Sequence, residues 1–311
     1  MPGSRSALFS RRQPGGLFSV QDVVAHPGDI WFVCSVNGTD GAGYGQNPDA
    51  PCATIDYAIG LCTASKNDVI YVLPGHLETI SAAGGIAADV AGVSIIGLGN
   101  GANRPTVTWS ATASTWTVSA ANVTIKNIRC TSTIAAVVTP FSLTGANCTI
   151  DGVDYYEDGT TDALQFVLTT TAADDLTIQN CRWFRGTTAA SALSQWIVLT
   201  GTDRVKIVNN YGILKGFATS NPINSLVAVV TTACVGMEIV GNRFYDSNST
   251  GNASILLITN CTGIVAGNRI GTSQGTLSTG QVVASAFWFD NLYTNEVAKS
   301  GVLGPAADAW T

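Results

Sequence analysis

Between residues 151 and 185 the chain gathers the residue types that grip and cleave sugars. Asp151, Asp154, Tyr155, Tyr156, Glu157, Asp158 and Asp162 come first, with Trp183, Phe184 and Arg185 one repeat further on. In glycoside hydrolysis one carboxyl group protonates the leaving oxygen while a second attacks or activates water. That chemistry needs the pair about 5–9.5 Å apart. Asp154, Tyr155, Glu157, Asp158 and Trp183 are the candidate glycan contacts, and the competing reading is a widened loop whose aromatics pack inward. A second partial set is Thr161-Asp162, Asp174-Asp175 and Arg204-Val205-Lys206, but no histidine follows His76. The aspartate pair precedes an apolar run, at a turn, where Asp is favoured for local hydrogen bonding. No residue is assigned a catalytic role on this basis, and the chain is not expected to be an enzyme. The eight cysteines form no C-x-x-C pair, and only His26 and His76 accompany them, so no metal and no cofactor is expected. Small buried thiols are the simpler reading.

The elements that would position these groups recur. An alternating apolar triplet followed by Asn or Gly appears as Val93-Ser94-Ile95, Val123-Thr124-Ile125, Cys148-Thr149-Ile150, Leu176-Thr177-Ile178, Val205-Lys206-Ile207 and Met237-Glu238-Ile239. It returns less cleanly as Ile264-Val265-Ala266. From Ile95 to Val265 the steps between markers are 30, 25, 28, 29, 32 and 26 residues. A period in this range means a stacked solenoid with one supersecondary unit per coil. Each unit has a second apolar stretch upstream, such as Trp116-Thr117-Val118, and a third after the turn, such as Trp183-Phe184. Three short strands per coil predict a parallel β-helix, all-β, with Asn127, Asn180, Asn209, Asn242 and Asn268 near one corner. No L-x-x-L-x-L phrase supports a horseshoe, and a propeller wants a longer period.

Around the coils of residues 80–270, residues 29–79 read as a strand, a loop and a short helix over Ala53–Cys62, which covers the open end of the first coil. Residues 271–311 read as an aromatic tail closing the other end. Residues 1–28 form an extended arm with Arg5, Arg11 and Arg12 among Leu8, Phe9, Leu17 and Phe18, broken at Pro14-Gly15-Gly16. Such a segment has no core of its own and is read as held down by another surface. Twelve per cent of residues are charged and the net charge is −6, which argues against nucleic acid as a partner. No apolar run reaches the roughly 20 residues of a membrane span. Met1–Phe9 lacks the continuous apolar core of a secretion signal, so synthesis in a cytoplasm is expected.

Pro51-Cys52-Ala53-Thr54-Ile55-Asp56-Tyr57-Ala58-Ile59, followed by Asn67-Asp68-Val69-Ile70-Tyr71-Val72-Leu73-Pro74-Gly75, resembles the capping helix, turn and first strand of the pectin-lyase-like right-handed β-helix proteins. The resemblance spans roughly residues 30 to 270. It implies the fold more than the function, because this fold carries lyases, hydrolases, tailspikes and inert virion proteins. The Thr/Ala/Asn-rich coils and the arm look most like structural proteins of tailed bacteriophages. That implies a capsid decoration (cement) protein on the virion surface, a homotrimer, with Arg5, Leu8, Phe9, Arg11, Arg12, Leu17 and Phe18 on the major capsid protein. The alternative it implies is a tailspike that binds or cleaves a host surface polysaccharide.

Overall fold

The computed structural model describes residues 28–157, 161, 163–185, 195–214, 225–246, 255–272, 285–295 and 301–303. Three parallel sheets run along one axis. The first has ten strands, in spatial order Ile30–Val33, Val69–Val72, Ser94–Gly97, Thr124–Lys126, Thr149–Asp151, Thr177–Gln179, Lys206–Val208, Met237–Val240, Thr262–Ala266 and Ser285–Phe289. The second has seven, from Ile86–Ala88 through Trp116–Val118, Phe141–Leu143, Val167–Thr169, Gln195–Leu199 and Ser225–Val229 to Ile255–Leu256. The third has ten: Leu77–Ile80, Thr106–Trp109, Arg129–Ser132, Asp154–Tyr156, Arg182–Arg185, Tyr211–Leu214, Arg243–Asp246, Arg269–Thr272, Asn291–Asn295 and Gly301–Leu303. Only the last pairing is antiparallel. The chain is a parallel β-solenoid.

The register shows why the sequence repeats. Ile95, Ile125, Ile150, Ile178, Ile207, Ile239 and Val265 stand directly over one another in the first sheet. The stack continues upward through Ile70 to Trp31 and downward to Trp288. Every one of these side chains is buried. Identical β-branched rungs about 4.8 Å apart mesh without voids, and each buried isoleucine contributes about 1.5–3 kcal/mol. Strand alternation then turns the intervening residues to solvent.

Left-handed corners bracket the first-sheet strands from Thr124–Lys126 to Lys206–Val208 and recur in the later coils. Asn122, Asn147, Asp175 and Arg204 hold φ between 55° and 61° before the strand. Asn127, Gly152, Asn180, Asn209, Gly241, Gly267 and Asp290 hold φ between 53° and 68° after the strand. Gly and Asn tolerate this conformation best, which accounts for their recurrence at five-residue spacing.

The asparagines expected at one corner occupy two adjacent positions. Asn127, Asn180 and Asn209 are the left-handed corner residues. Asn242 and Asn268 belong to the next position, which points inward. There Asn210, Asn242, Asn268 and Asn291 form a buried ladder, each Nδ2 donating to the Oδ1 of the next at 2.9–3.0 Å. The same amides donate to the carbonyls of Ile178, Ile207, Ile239 and Val265. In the upper coils this inward position holds Ile128, Val153 and Cys181. The rod therefore changes from an apolar to an amide-lined corner along its length.

The expected helix spans Ile55–Leu61, with the Thr54 hydroxyl accepting from Tyr57 N–H at 3.3 Å as its N-cap. Ile55, Ala58 and Ile59 are buried against the first strands. At the other end the coils continue past Ile270. Ser285–Phe289 and Asn291–Asn295 add a further rung to the first and third sheets. In Phe287-Trp288-Phe289-Asp290-Asn291 aromatics take the place of the aliphatic triplet of the repeat phrase.

Candidate functional site

The acid-and-aromatic cluster lies on and inside the third sheet. Tyr155 and Trp183 are successive inward rungs and fully buried. They belong to an aromatic column in the core, where Tyr155 packs edge-on to Phe166 and Trp196, and Trp183 to Trp196. Rings enclosed on all sides offer no face to a sugar. The position below Trp183 is Gly212, and Trp183 reaches past it to stack on Phe244, at 6.1 Å and 12°. A Cβ on Gly212 would meet Phe244 at 3.2 Å.

Asp154 is outward in register yet 3% exposed. Arg104 reaches it from the loop before Pro105 (Nη1 to Oδ2, 2.6 Å), and Arg182 from the next rung (Nε 3.1 Å and Nη2 2.6 Å). Arg104 also donates to the carbonyls of Ile128 and Gly152. The hydrogen bonds that Arg182 donates to Asp154 hold its guanidinium above its usual pKa. Glu157 is buried, and its Oε1 accepts Ala163 N–H at 2.7 Å. Of the five candidate glycan contacts, Asp154, Tyr155, Glu157 and Trp183 are therefore withdrawn from the surface, because charge pairing and aromatic packing use them internally. Asp158, like Asp162, lies outside the described residues, as does the whole set Arg5, Leu8, Phe9, Arg11, Arg12, Leu17 and Phe18.

In the second partial set, Asp174, Asp175, Arg204 and Lys206 pair with groups of the chain itself. Arg204 donates to Asp175 (2.7 and 2.8 Å) and to Asp174 (3.4 Å). The Asp175 pKa is lowered by its hydrogen bond from Arg204. Lys206 faces Glu238 on the next rung at 3.6 Å. Asp175 and Arg204 stand at a left-handed corner, where this ion pair joins one rung to the next.

Ser35, His76 and Glu78 have the composition of a nucleophilic triad but not its wiring. Ser35 N–H donates to His76 Nδ1 at 3.0 Å, which leaves Nε2 to donate to Glu78 at 3.0 Å. The Ser35 hydroxyl accepts from Leu77 N–H instead of facing the imidazole. Glu78 also accepts from Ile55 N–H, so the set ties the helix to the third sheet. A working triad needs the hydroxyl on the base. All eight thiols are free, and burial pushes Cys181, Cys234 and Cys62 up to about 12. Such thiols are poor nucleophiles. Among the described residues no group of three His, Cys, Asp or Glu side chains could hold a metal ion, and no helix is long and apolar enough to cross a membrane.

The outer face of the third sheet carries a pattern that the sequence reading passed over. In register down one column stand Arg129, Asp154, Arg182, Tyr211, Arg243 and Arg269. Beside it, two residues along each strand, stand Thr131, Tyr156, Phe184, Ile213, Tyr245 and Gly271. Tyr156 stacks on Phe184 at 4.8 Å and 15°, and the Arg129 guanidinium lies 4.9 Å over Tyr156. Tyr211 turns edge-on to Phe184 and is 40% exposed. A depression of about 370 Å³ opens beside it, lined by Asn209, Asn210, Tyr211, Gly241 and Arg243. The signal was present in the sequence: the arginine follows the left-handed corner by two residues in Asn127-Ile128-Arg129, Asn180-Cys181-Arg182, Gly241-Asn242-Arg243 and Gly267-Asn268-Arg269.

Compared with protein-family models, curated proteins and solved structures, the chain has no match. The solenoid stands on its own geometry, and the pectin-lyase-like family and a phage origin stay expectations drawn from residues.

Proposed function

We propose that this chain is a non-enzymatic structural protein of a virion. In this reading it is a capsid decoration protein, a homotrimer whose residues 1–28 grip the major capsid protein while the solenoid serves as a rigid body. The observation that supports this is the fate of its carboxylates. Asp154, Glu157, Asp174, Asp175 and Glu78 are each engaged by a hydrogen-bond donor of the protein itself. A hydrolase keeps two carboxyl groups free to face a bond. This chain uses Asp154, Asp174 and Asp175 to fasten one coil to the next, and Glu157 and Glu78 to hold a loop and the helix, which suits a rigid body. Binding only to assembled shells would stabilise them by mass action.

Deleting residues 1–20 tests the reading. The truncated protein is expected to keep its circular dichroism spectrum and to lose binding to capsids prepared without it. Undiminished binding would overturn the capsid assignment. The polysaccharide alternative has lost four of its five contact residues to the interior. It would be revived by release of reducing sugar that disappears in Glu157→Gln.

A further inference from the structure

We infer that the outer face of the third sheet, from Arg129 to Arg269, is a docking strip for an acidic protein segment that also presents apolar side chains. The chain carries a net charge of −6, yet this column holds four arginines and a single carboxylate. That carboxylate, Asp154, is buried under Arg104 and Arg182 and contributes no exposed negative charge. Among the described residues Arg243 and Arg269 are exposed and have no ion-pair or side-chain hydrogen-bond partner. They are free to meet an incoming acid.

The composition of the strip separates it from an ordinary solvated face. Lysine is absent from the third-sheet strands, while Arg, Tyr and Phe dominate their outward positions from Arg129 to Arg269. Protein–protein contact patches show the same bias, with Arg and aromatics enriched and Lys, Glu and Asp depleted. The geometry narrows the partner further. Six rungs about 4.8 Å apart make a strip roughly 24 Å long, and its two columns are about 7 Å apart. This is well short of the roughly 800 Å² per side of a standard interface, so an elongated segment along the axis fits better than a broad surface.

A second copy of this chain docked face to face would set arginine against arginine. Ile213 and Phe184, in the column beside the arginines, present apolar surface that suits a protein side chain better than a sugar or a phosphate. The rings of Tyr156 and Phe184 are stacked on each other, so a nucleic-acid base finds no free face between them. Leucine-like side chains suit that column, and carboxylates suit the arginines. The depression between Tyr211 and Arg243 would seat one acidic side chain.

The probe is a synthetic peptide of glutamate and leucine long enough to span the strip, titrated against the full chain by fluorescence anisotropy. A thymidine oligonucleotide and hyaluronate serve as rival ligands. The peptide is expected to bind, to weaken as salt rises, and to lose at least about tenfold in affinity in the double variant R243E and R269E. A lysine-for-glutamate peptide is expected to bind that variant better than the wild type. Both substituted side chains are exposed, and an unchanged circular dichroism spectrum establishes that the variant is folded. No binding, equal binding of the two peptides, or tighter variant-sensitive binding of either rival would overturn the proposal. No capsid is involved, so the outcome is separate from that of the arm deletion.

Discussion

Asn242 sits in the middle of the buried amide ladder, so replacing it tests whether that ladder holds the lower coils together. Its Nδ2 donates to Ile207 C=O at 2.8 Å and to Asn268 Oδ1 at 3.0 Å. Its Oδ1 accepts from both the backbone N–H and the Nδ2 of Asn210, each at 3.0 Å. Asn242→Ala removes all four bonds. Asn210 Nδ2 keeps its bond to Ile178 C=O, and Asn268 Oδ1 still accepts from the Asn242 backbone. The group stranded without water is therefore the Asn210 N–H, because the Ile207 carbonyl stays in the first-sheet ladder with Met237–Val240. At about 1–3 kcal/mol for a buried unsatisfied group, the expected loss is roughly 1–3 kcal/mol. In a solenoid each coil contacts only its neighbours, so the loss concentrates at the 210–242 junction. Guanidinium denaturation should then split, with the coil containing Trp288 melting before the coils of Trp109 and Trp116. A single Trp-only variant for each region, followed by fluorescence, would resolve the two steps. The control is Asn209→Gly, at the exposed left-handed corner one residue earlier, which should change stability by under about 1 kcal/mol. If Asn242→Ala costs no more than that control and unfolding stays a single step, the ladder is not what couples the coils.

Two further perturbations follow from the same geometry. Asp154→Asn removes the charge shared by Arg104 and Arg182 and leaves the Arg104 guanidinium buried without a counter-ion. Urea denaturation should show a loss of about 3–5 kcal/mol, and a change under 1 kcal/mol would contradict the pairing. The buried thiols set an alkaline limit. Their pKa values are raised in the folded state from 9.0 to about 12 at Cys181, Cys234 and Cys62, chiefly by desolvation. Their stabilising contribution is thus complete below pH 9 and lost as pH rises toward 12. Native protein at pH 8 should label with a thiol-reactive disulfide reagent at most at the half-buried Cys62, and all eight cysteines should react after unfolding. Rapid labelling of further thiols in the native chain would show that the coils open.

How much of this was legible in the residues differs between fold and surface. Isoleucine at a near-constant interval is a local signal, and stacking it is the only way for short strands to bury an apolar row. The corner asparagines were legible as a group but not as two positions. A left-handed Asn and an inward Asn are adjacent in the chain, and only the direction of the side chain separates them. The last coil was missed because Trp288 and the flanking Phe287 and Phe289 replace the aliphatic triplet. Tyr155 and Trp183 carried the composition of a sugar site, but composition does not say which way a strand residue points.

The chain by itself determined that it folds as stacked parallel strands, because periodicity, turn residues and β-branched rungs are written along one dimension. Tertiary structure alone decided which charges survive at the surface. The coils differ in length, so residues 28 to 50 positions apart become neighbours only when the register is fixed. That register sets Arg104 and Arg182 on Asp154, Arg204 on Asp175, and leaves Arg243 and Arg269 without a counter-charge among the described residues. Electrostatic energy depends on distances through space, and those distances exist only after the coils have closed.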